Sequence, residues 1–252
     1  MVPRRLIVGN WKMNPGSLTL AKRLLGRIRR RAEKLRRTEL IICPPALFLP
    51  LFGRSNSITL GAQDVSFHHD GAHTGEISPA MFRSLGVEYS IIGHSERRES
   101  GDTDEIVAQK LAAALEYRLR PILCVGERER DQSGVYLKVI RAQIESALQK
   151  IPKSELKLLV IAYEPVWAIG VRARGASTPE DFLEQSIYIR KILSTFTDTA
   201  TALRVPVLYG GSVDAENAAP FLDKGKAHGL LVGRESLDIE EFGKILRSAE
   251  VL

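Results

Sequence analysis

The segment Leu158-Leu159-Val160-Ile161-Ala162-Tyr163-Glu164-Pro165-Val166-Trp167 joins an apolar strand to an acidic residue. Residues 158–163 form a short, continuous aliphatic run with β-branched members, which indicates a buried strand. Pro165 keeps the chain extended and prevents the strand from continuing regularly. Glu164 is therefore expected at a strand end, beside a loop that can exclude water, where a carboxylate can act as a general base. The alternative is a structural Glu that caps a helix or pairs with a surface cation.

Eight strands, including this one, and eight amphipathic helices are predicted along the chain. The predicted strands are 6–10, 40–43, 58–63, 89–92, 122–125, 158–163, 205–209 and 229–232. The predicted helices are 17–36, 45–52, 79–86, 103–118, 134–150, 179–197, 214–223 and 238–249. Eight strand–helix pairs in about 250 residues are typical of an α/β fold of the closed (β/α)₈ type, with eight parallel strands. A doubly wound open sheet alternates in the same way, but no strand is followed by Gly-x-Gly-x-x-Gly. No linker interrupts the pattern, so residues 1–252 are expected to form a single barrel domain.

The composition indicates a globular protein without a membrane span. The chain has 252 residues, of which 44% are apolar and 26% are charged. No stretch approaches the roughly eighteen apolar residues that a transmembrane helix needs, and the first strand leaves no room for a signal peptide. Cys43 and Cys124 lie in strand-like apolar runs, so they are interpreted as buried, reduced thiols and not as disulfide or metal ligands. A cytoplasmic location is expected.

The positive charge is concentrated in the first quarter of the chain. Residues 1–60 carry 13 Lys and Arg against 2 Asp and Glu, whereas the whole chain has a net charge of +6. Most of this excess lies on the outer face of the amphipathic helix within 17–36. The face could bind an anion or a nucleic acid. Because no aromatic residue lies among these charges, a solvated helix face is the favoured interpretation.

Polar residues collect directly after the predicted strands. Asn10 and Lys12 follow the first strand, His94 the fourth and Glu164 the sixth. Since the carboxyl ends of barrel strands meet on one face, these four side chains are expected to converge. The residues after His94 resemble a helix start, where the helix dipole disfavours an imidazolium, so a neutral imidazole is expected. Lys12 as a surface lysine and His94 as a loop histidine are the alternatives.

Glycine-bearing turns follow the last two strands. Gly210, Gly211 and Ser212 follow the seventh strand, and Gly233 and Arg234 follow the eighth. Exposed backbone N–H groups in such turns form a phosphate cradle, and barrels commonly place it after strands seven and eight. A simple tight turn is the alternative.

Three histidines, His68, His69 and His73, lie near a predicted loop tip at Asp70-Gly71. Their H-H-x-x-x-H spacing does not match a helical metal site, so no metal is expected. A protruding loop that docks on another chain is the better interpretation.

Seven ordered sequence blocks, spread over the whole chain, resemble triosephosphate isomerases. The blocks are Asn10-Trp11-Lys12-Met13-Asn14, Gly61-Ala62-Gln63-Asp64-Val65, Gly71-Ala72-His73-Thr74-Gly75-Glu76, Gly93-His94-Ser95-Glu96-Arg97-Arg98, residues 162–170, residues 209–213 and Leu231-Val232-Gly233. The resemblance implies a TIM barrel that interconverts dihydroxyacetone phosphate and D-glyceraldehyde 3-phosphate through an enediolate, in glycolysis and gluconeogenesis. It implies no cofactor and no metal.

The resemblance also assigns roles to the converging residues. Glu164 would shuttle a proton between adjacent carbons, neutral His94 would polarise the carbonyl, and Lys12 would neutralise the enediolate and attract the phosphate. The residues expected to bind substrate are Asn10, Lys12, Gly170, Ser212, Gly233 and Arg234. The residues expected to support the site are Glu96, Tyr209, Gly210 and Gly211. The lid would be residues 166–177.

A homodimer is implied through the loop 64–78, with Thr74 reaching the partner's active site and Glu76 pairing with Arg98. No nucleic acid and no membrane is expected as a partner. The sequence departs from the family pattern at three places: the lid is about two residues longer, Arg234 replaces a glycine, and His73 replaces an aromatic residue. In the lid, Arg172 and Arg174 either add to the attraction for phosphate or are solvated.

Two other functions fit parts of the sequence. The longer lid could reshape the pocket for another sugar phosphate. A non-catalytic barrel could instead use the basic segment 22–37 to bind nucleic acid or acidic partners, but this leaves the converging carboxylate, imidazole and ammonium without a purpose.

Overall fold

The computed structural model describes residues 4–53, 55–131, 133–168 and 177–252. Within them, eight parallel strands form a closed barrel in chain order, and β1 pairs with β8 to complete the ring. The strands are β1 Arg5–Asn10, β2 Thr38–Cys43, β3 Thr59–Ala62, β4 Val87–Ile92, β5 Arg120–Val125, β6 Val160–Tyr163, β7 Val207–Tyr209 and β8 Gly229–Val232. The predicted (β/α)₈ fold is confirmed.

In the described part of the chain, eight α-helices lie between the strands and a ninth follows β8. They are α1 Leu18–Ala32, α2 Pro79–Ser84, α3 Ser95–Glu99, α4 Asp104–Glu116, α5 Tyr136–Leu148, α6 Pro179–Leu193, α7 Thr199–Arg204, α8 Ala218–Asp223 and α9 Ile239–Val251. Short 3₁₀ segments occupy Ala46–Leu51, Lys153–Leu158, Val166–Ala168 and Arg234–Ser236. No helix built from described residues is both long and apolar enough to span a bilayer.

The alternation of side chains along each strand divides the core into two layers. Leu6 and Val8 of β1 belong to a cluster inside the barrel, whereas Ile7 between them packs in the layer of strands and helices. This division is the period-two consequence of strand geometry. Both cysteines, Cys43 and Cys124, are free and buried in the inner cluster, as predicted, and burial raises the pKa of both thiols.

Several helix boundaries differ from the prediction because of proline and short capping segments. The segment 45–52 was expected to be an amphipathic helix, but it is a 3₁₀ segment that contains Pro50, which cannot donate a backbone hydrogen bond. The helix start expected after His94 is the short helix α3. The helix α7 was not predicted, because six residues are too short to show helical periodicity.

The basic face of α1 is partly used within the fold. Arg27 and Arg31 both contact the carboxylate of Glu240 in α9, at 3.0 and 2.9 Å. Arg23 and Arg30 are exposed to solvent. This arrangement favours the solvated and structural interpretation of the face over a nucleic-acid patch.

Candidate active site

A cavity of about 580 Å³ opens at the carboxyl ends of the barrel strands. Its lining comes from β1, β4, β6, β7 and β8 and from the turns that follow these strands. The lining residues are Asn10, Trp11, Lys12, Asn14, His94, Glu164, Gly210, Gly211, Ser212, Val213, Leu231, Gly233, Arg234, Glu235 and Leu237. The structure thus brings together predicted residues that are more than 200 positions apart in the sequence.

Glu164 lies at the end of β6, and its side chain is buried against the cavity wall. Its backbone N–H donates to the carbonyl of Val125 at 2.8 Å, which ties it to the end of β5. The backbone N–H of Ser95 donates to one carboxylate oxygen at 2.9 Å. The other carboxylate oxygen lies 3.3 Å from Nε2 of His94. With the residue only 2% exposed, the carboxylate faces few water molecules and has a fixed position.

His94 forms the N-cap of α3, and this position determines its tautomer. The backbone N–H of Glu96 donates to Nδ1 of His94 at 3.2 Å. Since Nδ1 accepts this hydrogen bond, the proton of a neutral imidazole is on Nε2, which faces Glu164. A second proton on Nδ1 would break the cap and would also oppose the helix dipole. The geometry therefore favours a neutral imidazole with an N–H available to a carbonyl oxygen.

Lys12 has an unusual backbone conformation that its neighbours hold in place. Its φ is 51°, which is in the left-handed region. The backbone N–H donates to Oδ1 of Asn10 at 3.0 Å, and the backbone carbonyl accepts from Nε2 of Gln63 at 2.8 Å. These contacts direct the side chain over the cavity.

The Lys12 ammonium forms an ion pair at the cavity edge. Nζ lies 2.6 Å from Oε1 of Glu96. Burial of the Glu96 carboxyl acts to raise its pKa, but the hydrogen bond and charge of Lys12 outweigh this effect, and the pKa is lowered. Glu96, predicted to support the site, is therefore the partner of Lys12 and does not itself line the cavity.

The turn after β7 is closely packed around both of its glycines. A Cβ on Gly211 would overlap the ring of Tyr209, and a Cβ on Gly210 would lie 3.1 Å from Cγ of Glu164. Oγ of Ser212 donates to the carbonyl of Ala168 at 2.9 Å, which ties this turn to the segment that follows Glu164. The turn therefore holds its backbone close to the cavity, as a phosphate cradle requires.

The turn after β8 has the conformation that Arg234 needs. The backbone φ of Gly233 is −87°, and the backbone φ of Arg234 is not positive. The substitution of arginine for glycine is therefore compatible with the backbone. A Cβ on Gly233 would lie 3.5 Å from Cε of Lys12, so this turn and Lys12 border the same end of the cavity.

Part of the predicted site lies outside the described residues. Gly170, Arg172, Arg174 and most of the lid 166–177 belong to residues 169–176, of which nothing is described. Among described residues, no group of three His, Cys, Asp or Glu side chains is arranged to hold a metal ion. The rings of His68 and His73 stack with their centroids 3.5 Å apart, and each of the residues 69–76 is exposed.

Sequence reasoning did not assign several residues that shape the site. Gln63 holds the backbone of Lys12 in place, although only the resemblance to a family block had drawn attention to it. Glu127 accepts hydrogen bonds from the hydroxyl of Tyr163 and from Nε1 of Trp167, both at 2.8 Å. Burial raises the pKa of Glu127, although these two hydrogen bonds oppose the effect. Glu235 lines the cavity next to Arg234, and nothing in the sequence pattern indicated it.

The assembled groups suit proton transfer beside a carbonyl group in a phosphorylated substrate. The cavity contains a buried carboxylate as a base, an imidazole N–H and an ammonium near a developing oxyanion, and close-packed turns for a phosphate. The catalytic roles of Lys12, His94 and Glu164 stay predictions, which the geometry supports.

Comparison with known proteins gives one consistent family. A family model described as triosephosphate isomerase matches residues 5–249. A triosephosphate isomerase of Natranaerobius thermophilus is 41% identical over 250 residues, which cover 98% of this chain and 96% of the relative. Relatives of the same name from Aquifex aeolicus and Marinobacter nauticus are 41% and 42% identical, and each alignment covers 97% of this chain. The chain belongs to the triosephosphate isomerase family.

Proposed function

We propose that this chain interconverts dihydroxyacetone phosphate and D-glyceraldehyde 3-phosphate by proton transfer through an enediolate, as a step of glycolysis and gluconeogenesis. The observation that carries the proposal is the single cavity shared by Lys12, His94 and Glu164. Family membership over nearly the whole chain supports the same reaction. The alternative sugar phosphates have no specific observation in their favour.

In this reaction Glu164 takes a proton from the carbon beside the carbonyl and returns it to the neighbouring carbon. Nε2–H of His94 donates a hydrogen bond to the carbonyl oxygen and moves protons between the two oxygens. Lys12 offsets the negative charge of the enediolate, and Asn10 orients the substrate. Backbone N–H groups near Ser212, Gly233 and Arg234 hold the phosphate, with Gly170 completing this set.

The test is isomerisation of D-glyceraldehyde 3-phosphate, with formation of dihydroxyacetone phosphate followed by an NADH-dependent dehydrogenase. We expect rapid turnover and strong competitive inhibition by a phosphorylated hydroxamate that mimics the enediolate. In heavy water, the product should carry deuterium on the carbon that Glu164 reprotonates. The proposal is wrong if the wild-type chain shows no turnover, or if another sugar phosphate has a higher kcat/KM.

We further propose that the chain forms a homodimer through the loop 64–78. Each of the residues 69–76 is exposed, and Met13 beside the active site is 94% exposed. Nη2 of Arg98 is buried and has no hydrogen-bond partner within the described residues, although the rest of its guanidinium contacts Gly93 and Asp104. Glu76 of a second copy is the partner that we assign to the Arg98 guanidinium, whose side chain is 15% exposed, and Thr74 would reach the neighbouring active site.

Reversing the charge at the loop tests the dimer. Glu76→Arg should raise the dimer dissociation constant by about tenfold or more, because two arginines then face each other across the interface. Glu88→Arg, at an exposed position on β4, is the matched control and should leave the constant unchanged. Sedimentation equilibrium measures both, and equal values for the two variants would exclude this pairing.

The cytoplasmic location is likewise a proposal. It is supported by the two free, buried cysteines, which suit a reducing compartment.

A further inference from the structure

Arg234 is a cationic residue of the cavity lining whose guanidinium has no partner in the described part of the chain. The residue is exposed and lines the cavity. No hydrogen bond or ion pair joins its guanidinium to any other described residue. Lys12, the other cationic side chain in the described lining, has its ammonium 2.6 Å from Glu96. Among the described lining residues, the Arg234 guanidinium is therefore the cationic group that no carboxylate pairs with.

The backbone under Arg234 is fixed. The N–H of Ser236 donates to the carbonyl of Gly233 at 2.9 Å, and Oγ of Ser236 donates to the same carbonyl at 2.6 Å. The N–H of Leu237 donates to the carbonyl of Arg234 at 3.0 Å. These bonds hold the turn after β8 in one position, so the side chain starts from a defined point at the cavity edge.

The position of the turn relates Arg234 to the phosphate end of the cavity. The neighbouring Gly233 lies close to the side chain of Lys12, and the turn after β7 with Gly211 and Ser212 completes this side of the lining. A guanidinium presents two parallel N–H groups that match two oxygens of a phosphate. A carboxylate, Glu235, also lines this end, and its charge opposes an anion.

We propose that the side chain of Arg234 is a phosphate ligand that determines the specificity of the site for phosphorylated substrates. This proposal deepens the proposed function, in which only backbone N–H groups hold the phosphate. The guanidinium of Arg234 adds a charge-assisted, bidentate contact to the backbone N–H groups that hold the phosphate. Glu164 and His94 carry the proposed proton transfer, so the contribution of Arg234 is to binding.

The test compares Arg234→Gln, which removes the charge and leaves a shorter polar side chain, with wild type. We expect KM for D-glyceraldehyde 3-phosphate and the competitive inhibition constant of inorganic phosphate each to rise about tenfold, with kcat changed less than about threefold. The two constants of Arg234→Lys should lie between those of wild type and Arg234→Gln, because lysine keeps the charge but lacks the two parallel N–H groups of the guanidinium. The increase should shrink at high salt, since the contact is solvent-exposed.

Three controls separate this contact from a general effect. Arg30→Gln removes an equally exposed charge from α1 and should leave both constants unchanged. Glu235→Gln removes the opposing charge and should lower the inhibition constant of phosphate by about two- to threefold. With glyceraldehyde, which carries no phosphate, kcat/KM should be the same for wild type and Arg234→Gln.

Two results would overturn the proposal. One is a change of less than twofold, in Arg234→Gln, of both KM for D-glyceraldehyde 3-phosphate and the inhibition constant of inorganic phosphate. The other is a loss of kcat/KM with glyceraldehyde as large as the loss with D-glyceraldehyde 3-phosphate. If the wild-type chain has no isomerase activity, the proposed function fails, and calorimetric titration of both proteins with inorganic phosphate still decides the role of Arg234. Equal phosphate affinities in that titration would reject it.

Discussion

Replacing Glu164 by aspartate is expected to lower kcat by about 10²–10³-fold, or roughly 3–4 kcal/mol in activation free energy. Removal of one methylene withdraws the carboxylate from the proton that it must reach, while β6 and the bond to Val125 still hold the backbone. KM should change little, since the phosphate contacts are unaffected. Steady-state kinetics with purified variants measures the effect.

The stability of this variant should stay close to that of wild type. The aspartate keeps the charge, and the neighbouring Ser95 N–H stays available as a hydrogen-bond donor. Glu88→Asp, on an exposed face of β4, is the control for the chemical change itself and should have wild-type kcat. A kcat for Glu164→Asp within threefold of wild type would remove Glu164 from the role of base.

The largest expected loss of stability follows from Gly126→Ala. A Cβ at this position would overlap the carbonyl oxygen and carbon of Glu164, and both partners are backbone atoms that cannot rotate away. The peptide group of Gly126 is also held by Gln143, which accepts from its N–H at 2.9 Å and donates to its carbonyl at 3.2 Å. We expect the free energy of unfolding to fall by about 3 kcal/mol or more.

Chemical denaturation measures this loss, and Gly26→Ala is the matched control. Gly26 lies inside α1 with open space around its Cβ position, so alanine there should stabilise the protein by about 0.5–1 kcal/mol. In Gly126→Ala the displaced end of β6 should also lower kcat. A free energy of unfolding equal to that of wild type would mean that the ends of β5 and β6 adapt to the methyl group at little cost.

The order of strands and helices was predictable because a parallel barrel makes strong local demands on sequence. Strands buried on both faces appear as apolar runs, such as residues 122–125 and 229–232. The number of these runs along the chain gives the number of strand–helix units. The ends of elements were less predictable. Proline placed a 3₁₀ segment at Ala46–Leu51, and β6 begins at Val160, two residues later than expected.

The members of the site could be predicted from their positions after strands, but their contacts could not. Lys12 and Glu96 are 84 positions apart, and only the closed barrel brings them to 2.6 Å. Gln63 can donate a hydrogen bond to the carbonyl of Lys12 only because of the direction in which this carbonyl points. That direction follows from the left-handed backbone conformation of Lys12, which lysine rarely adopts. The sequence around each of these residues does not indicate which distant residue it contacts.

The left-handed backbone of Lys12 sets a limit on protein engineering at this position. Glycine would adopt φ 51° without the cost of about 1 kcal/mol that a side chain incurs there. A directed-evolution screen that rewards heat resistance alone would therefore favour glycine at residue 12. The selected protein would tolerate higher temperatures while lacking the ammonium that the proposed chemistry requires, so selection at this residue has to include turnover.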